Sequence, residues 1–179
     1  RMLAFMDPWQ ADNAANKGYQ LTHSLMAFGR GEWFGTGLGG SVEKLHYLPE
    51  AHTDFIFSVI GEELGLLGTI SIIIALALLV YLIIKISLMA PDTFSRYLGL
   101  GIAFWIGLQS LFNLLSATSL IPVVGVTLPL ISYGGSSLVA VVGALGFVAG
   151  IGIRNPEISR ELNTRWPLQP RGNKSRVIK

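Results

Sequence analysis

The sequence predicts an all-α polytopic membrane protein, with a large extracytoplasmic loop carrying short helices followed by three transmembrane helices. Three observations predict it. Of 179 residues, 51% are hydrophobic and 13% are charged, where an average soluble domain carries about 25% charged residues; the mean hydropathy is +0.54. Charged residues are absent from two long runs, 21 positions from Leu64 to Ile84 and 57 from Tyr97 to Ile153. The basic residues gather in two places, around the junction between these runs and after the second.

Residues 1–63 lack a long apolar run and read as the extracytoplasmic loop. A short amphipathic helix is expected over Tyr19 to Gly29, with Leu21, Leu25 and Phe28 on one side. Trp9, Trp33 and Phe34 suit the membrane–water interface, where amphipathic rings settle. Residues 64–85 form the first expected transmembrane helix, since about 20 apolar residues cross a bilayer. Their β-branched content would also fit a buried strand, but strands rarely exceed about 10 residues. The 57-residue run is long enough for two spans, placed at 97–120 and 136–153. Between them, at 121–135, Pro122, Gly125, Pro129, Gly134 and Gly135 interrupt regular helix. Irregular apolar backbone is tolerated at membrane depth only when buried in protein or lining a cavity, so this segment is expected to re-enter the protein.

Orientation follows from the cations. Lys85 and Arg96 flank the first linker, and Arg154, Arg160, Arg165, Arg171, Lys174, Arg176 and Lys179 populate the tail, 154–179. Three spans put linker and tail on one side, expected to be cytoplasmic. The loop 1–63 and the re-entrant segment then share the outer face. The tail reads either as solvated or as in contact with anionic lipid. A net charge of +2 is too small to argue for a nucleic-acid partner, and the absence of cysteine excludes disulfides and thiolate metal sites.

Three stretches could carry chemistry. The first, "GRGEWFGTGLGGS" (Gly29 to Ser41), could cradle phosphate through backbone N–H groups. It lacks the GxxxxGK[ST] spacing, so a tight surface turn is the plainer reading. A middle reading brings the loop to a lipid-linked phosphate, with Arg30 or Lys44 supplying charge.

The second, "YLPEAHTDFIF", crowds Glu50, His52 and Asp54 against an apolar segment. On a helix Glu50 and Asp54 share a face. His52, two positions from each, points elsewhere, which disfavours a metal site; none is expected. Partial burial would make Asp54 a better base near neutral pH, while a mere helix cap is the alternative. Glu62 and Glu63 lie just inside the apolar run and are costly unless paired or lining a cavity. Further along, Gln109 and Asn113, four apart, are expected to hydrogen-bond between helices.

The third, "LPLISYGGSS", offers Ser132, Tyr133, Ser136 and Ser137. It contains no GxSxG elbow.

Taken together, "DPW" (Asp7 to Trp9), Gly18 to Ser41, "YLPEAHTDFIF" with "IGEELGL", and "TLPLISYGGSS" resemble the FtsW/RodA/SpoVE (SEDS) family of peptidoglycan glycosyltransferases over Met2 to Pro156. The wording is more like the division-associated FtsW branch than the elongation-associated RodA branch. One departure is Val124, where FtsW proteins commonly carry the lysine of "LPTKG". The resemblance implies a polytopic enzyme of the bacterial inner membrane, working at the division septum, of which this chain would be the C-terminal part and inactive by itself. It implies polymerisation of lipid II, the undecaprenyl-pyrophosphate-linked disaccharide-pentapeptide, with Asp54 as the essential loop aspartate. Arg30, Lys44, Glu50, His52, Ser132, Gly134, Gly135 and Ser136 are then the expected substrate contacts. Arg30, Lys44 or a divalent cation, Mg or Mn, would stabilise the leaving pyrophosphate. The expected partners are a cognate class B penicillin-binding transpeptidase, other division proteins and membrane lipid. A lipid II flippase and a non-catalytic division scaffold are the alternatives.

Overall fold

The computed structural model describes residues 19–41 and 53–155. All regular structure among them is helical, in four helices: α1 (Tyr19–Gly31), α2 (Ile56–Leu88), α3 (Thr93–Ala117) and α4 (Gly135–Arg154). The last three are long and apolar enough to cross a membrane. The chain is an all-α, multi-pass membrane protein.

The helices depart from their expected bounds for local reasons, and α3 ends at Ala117, short of the expected 120. α1 runs to Gly31, two residues past the expected end. It packs its apolar side on α2, where Phe28 and Phe57 meet edge to face with ring centroids 5.6 Å apart. Ser24 ties the same junction, its Oγ lying 2.5 Å from Ser58 Oγ and donating to the Ala117 carbonyl at 2.7 Å. α3 starts at Thr93 rather than 97 because Asp92 caps it: Ser95 N donates to Asp92 Oδ2 at 2.8 Å. That bond also holds the exposed Asp92 carboxyl below its ordinary pKa. α4 fills 135–154, close to the expected 136–153.

α2 begins eight residues before the expected span, and it is broken. Gly65 sits at φ 66°, ψ −160°, a region that essentially only glycine occupies. An unbroken helix would bond Leu66 N to the Glu62 carbonyl and Leu67 N to the Glu63 carbonyl. Instead Leu66 N and Leu67 N donate to the carbonyls of Glu32 and Trp33 (2.9 and 3.4 Å), while Thr36 N and Gly37 N donate to Glu62 O and Glu63 O (2.9 and 3.0 Å). The loop after α1 thus threads the break and satisfies both freed pairs.

Glycine makes this approach possible. A β-carbon on Gly65 would lie 2.4 Å from Gly35 N, and one on Gly35 would lie 2.1 Å from the Glu63 carbonyl oxygen. The glycine-rich loop is therefore an exposed tight turn anchored in the break, and at Gly35, Gly37 and Gly40 it is not a phosphate cradle. The amides of those three donate to the carbonyls of Gly31, Glu63 and Gly37.

Between α2, α3 and α4 the core holds Ile83, Ile102, Ala103, Ile106, Val141 and Val148. At the linker end, Asn155 Nδ2 donates to the Met89 carbonyl at 2.7 Å and pins the end of α4 beside the α2–α3 turn. At the opposite end the segment between α3 and α4 turns inward. Leu128 and Pro129 are buried, and Leu128 joins Phe57, Leu76 and Ala117 in a second cluster. Large apolar side chains remain exposed around the outside, among them Ile74, Phe104 and Phe147, as a lipid-facing surface requires.

Candidate active site

Asp54 lies in the turn Thr53–Phe55, immediately before α2, and is half-buried. It sits in a turn and not on a helix face; Glu50, which helical spacing would pair with it, lies outside the described residues. The reason for the turn is visible in the backbone. The Asp54 carbonyl, which would accept from Ser58 N in a helix, accepts instead from Asn113 Nδ2 at 3.0 Å. Ser58 N turns to the Phe55 carbonyl at 3.0 Å. Phe55 anchors the turn below, buried with Val59 and against Val123.

The wall opposite Asp54 comes from the segment between α3 and α4. Gly125, at φ 72°, passes so close that a β-carbon there would lie 3.3 Å from Asp54 Oδ2. Side chains of α3 hold this wall. Asn113 Nδ2 donates a second bond, to the Val126 carbonyl at 2.5 Å, and Gln109 Nε2 donates to the Thr127 carbonyl at 2.9 Å. The expected bonds between helices are not what this pair makes; both reach irregular backbone, whose carbonyls no helix satisfies. Ser132 closes the arrangement. Its Oγ donates to the Thr53 carbonyl at 2.5 Å and accepts from Leu128 N at 2.7 Å. Thr127 Oγ1 and Ser137 Oγ are 2.8 Å apart and join the loop to the first turn of α4.

The other expected contacts divide. Ser132 is buried and engaged with backbone, so it shapes the site as scaffold. Gly134 and Gly135 form the cap and first residue of α4, and Ser136 is exposed beside them. Arg30, at the end of α1, faces Glu62, with Nη1 3.7 Å from Oε1. Lys44, Glu50 and His52 lie outside the described residues. Among the described residues no three His, Asp or Glu side chains gather as a metal site would need.

Glu62 occupies the break itself and is fully buried. Ser41 Oγ donates to its Oε2 at 2.5 Å, so the carboxylate has a charged and a neutral partner, as burial demands. Asn113, Gly125 and the glycine pair of "GEELG" escape the sequence reading as site residues. The available signals were the Gln109/Asn113 spacing and two glycines bracketing two glutamates in an apolar run.

The arrangement holds one half-buried carboxylate in a turn whose carbonyl is tied to α3, with the backbone of Gly125 passing beside it. That suits proton abstraction from a bound hydroxyl.

The FtsW/RodA/SpoVE family profile, described as "Cell cycle protein", matches residues 1–156. The chain is 56% identical over 163 residues to a probable peptidoglycan glycosyltransferase FtsW of Polynucleobacter necessarius, covering 89% of this chain and 38% of that protein. It is 48% identical over 179 residues to a protein of the same description from Halomonas elongata, covering 98% and 44%. The chain thus spans well under half of the length of these relatives. Among solved structures, it is similar at TM-score 0.67 and 30% identity to a chain of a peptidoglycan synthase complex described as coordinating polymerisation and crosslinking, covering 88% of this chain and 42% of that one. It also matches an aspartate-to-alanine variant of the Rod shape determining protein RodA of Thermus thermophilus, at TM-score 0.55 and 35% identity, covering 73% and 38%.

Proposed function

Because the chain belongs to the FtsW/RodA/SpoVE family, we propose that it carries the catalytic loop of a peptidoglycan glycosyltransferase that polymerises lipid II at the outer face of the bacterial cytoplasmic membrane, at the division septum. The observation that carries the reading is Asp54: a half-buried carboxylate fixed by its main chain and faced, at Gly125, by backbone alone. Asp54 takes the proton from the acceptor sugar 4-hydroxyl as that oxygen attacks the anomeric carbon of the lipid-linked donor. The new glycosidic C–O bond forms with inversion while the C–O bond to pyrophosphate breaks. Undecaprenyl pyrophosphate leaves with the electron pair, and Arg30 and Lys44 are the cations assigned to its charge. Mg or Mn, if bound, would add the same charge neutralisation.

The relatives' descriptions support the activity. The complex in which the solved relative takes part supports a crosslinking partner, a class B penicillin-binding transpeptidase. The outer-face placement of the loop rests on the cations of the α2–α3 linker and of the tail.

A second reading draws on the broken helix. Discontinuous membrane helices also line transport paths, so a lipid II transporter is the rival. Purified full-length protein given lipid II discriminates between them. Glycan strands form if it is a polymerase. Lipid II that crosses a vesicle membrane without being joined would overturn the reading.

A further inference from the structure

We infer that Asn113 is a positioning residue for the transfer reaction, setting the place of Asp54 relative to the backbone wall at Gly125; this rests on the reading of Asp54 as the base. Asn113 belongs to a different helix, 59 residues along the chain. Its side-chain amide bridges the two halves of the site, with Nδ2 donating to the carbonyl of Asp54 itself and to that of Val126, one residue beyond Gly125. Both acceptors are carbonyl oxygens, so only the NH₂ end can face them, and the amide orientation is fixed by chemistry. Ser132 holds the carbonyl of the preceding residue, Thr53. Two side chains from distant elements thus clamp two consecutive carbonyls.

The other end of the amide sharpens the case. Asn113 is 1% exposed, and its Oδ1 has no hydrogen-bond partner among the described residues. An apolar side chain of similar shape would avoid that cost. Asparagine at this place therefore serves the NH₂ end and what it holds.

The test is steady-state polymerisation of lipid II by the full-length protein. Asn113→Ala is expected to lower kcat by about 100-fold, as a misplacement on the order of 1 Å does, with KM nearly unchanged. Asn113→Leu keeps the approximate volume and removes the unpartnered oxygen, so it tests the same point should the alanine variant fold poorly. Ser132→Ala should lower kcat as well. The double variant Asn113→Leu/Ser132→Ala should lose less than the product of the single losses, because residues acting as a unit are non-additive. Wild-type kcat in a folded Asn113→Leu protein would overturn the inference, and so would a loss confined to KM. Asp54→Asn, run in parallel, separates the two levels. An inactive Asp54→Asn beside a fully active Asn113→Leu overturns the positioning role alone; an active Asp54→Asn overturns the base and the inference with it.

Discussion

Gly125 is the residue at which conformation and chemistry meet most closely. Its φ of 72° is strained for any side-chain-bearing residue, by about 1–2 kcal/mol. A methyl there would also stand 3.3 Å from the Asp54 carboxylate, in the space a hydroxyl must enter. Gly125→Ala is expected to reduce polymerisation by tenfold or more, on the order of what displaced reacting groups cost, and to lower the unfolding temperature in detergent by a few degrees, about what that strain accounts for; equal rates for variant and wild type would refute it. Glu62 presents a different balance. Its carboxylate is fully buried between Ser41 and Arg30, whereas Arg30 is 46% exposed. Removing the acid strips both partners in a dry site, and removing the base leaves an anion still bound by Ser41. Thermal unfolding in detergent is expected to fall further for Glu62→Ala than for Glu62→Gln, which keeps an acceptor for Ser41. At this scale the residues around Asp54 left it open between a base and a helix cap, and the family resemblance singled it out. Neither revealed Asn113 or Gly125, whose roles depend on contacts across 59 residues of chain and on a backbone angle.

At the scale of elements, the broken α2 organises the outer end of the molecule. Two backbone amides and two carbonyls are exchanged between the helix and the loop from Glu32 to Gly37. Gly65→Ala forces a side chain into an unfavourable backbone region, at about 1–3 kcal/mol, and sets its β-carbon 2.4 Å from Gly35 N. The expected outcome is faster amide exchange at Thr36 and Gly37 than in the wild type, read by hydrogen–deuterium exchange. The helices themselves could be read from hydrophobic length, and α1 from its periodicity. The break could not, because a charge-free run is read by its length, which a single glycine within it does not change. The α2–α3 linker offers a test of capping. Asp92 has a pKa lowered by the Ser95 amide, so its stabilising bond is fully present above the ordinary carboxylate range and is lost as pH falls through the lowered value. Asp92→Ala should unfold at a lower temperature than the wild type at pH 7, and the difference should vanish in strong acid.

At the scale of the whole molecule, three spans place the α1 loop, the Asp54 turn and the segment between α3 and α4 at one end, and Met89 and Asn155 at the other. These 179 residues contain no cysteine, so a single thiol introduced among them reports sidedness in a protein whose remaining cysteines, where present, are replaced. Leu38→Cys, on an exposed loop position, is expected to react with a membrane-impermeant maleimide from outside intact cells. Met89→Cys should react only after lysis. Fold class and the order of spans were legible from composition and the charge-free runs, since a bilayer fixes element length. The meeting of three remote segments at Asp54 was not, because irregular apolar backbone such as "IPVVGVTLPL" says that it must be buried but not against what. The carboxylate at that meeting point is the group the proposed chemistry requires. Full-length Asp54→Asn, purified and supplied with lipid II, should bind the lipid as the wild type does and yield no glycan strands. Strands formed at the wild-type rate would contradict it.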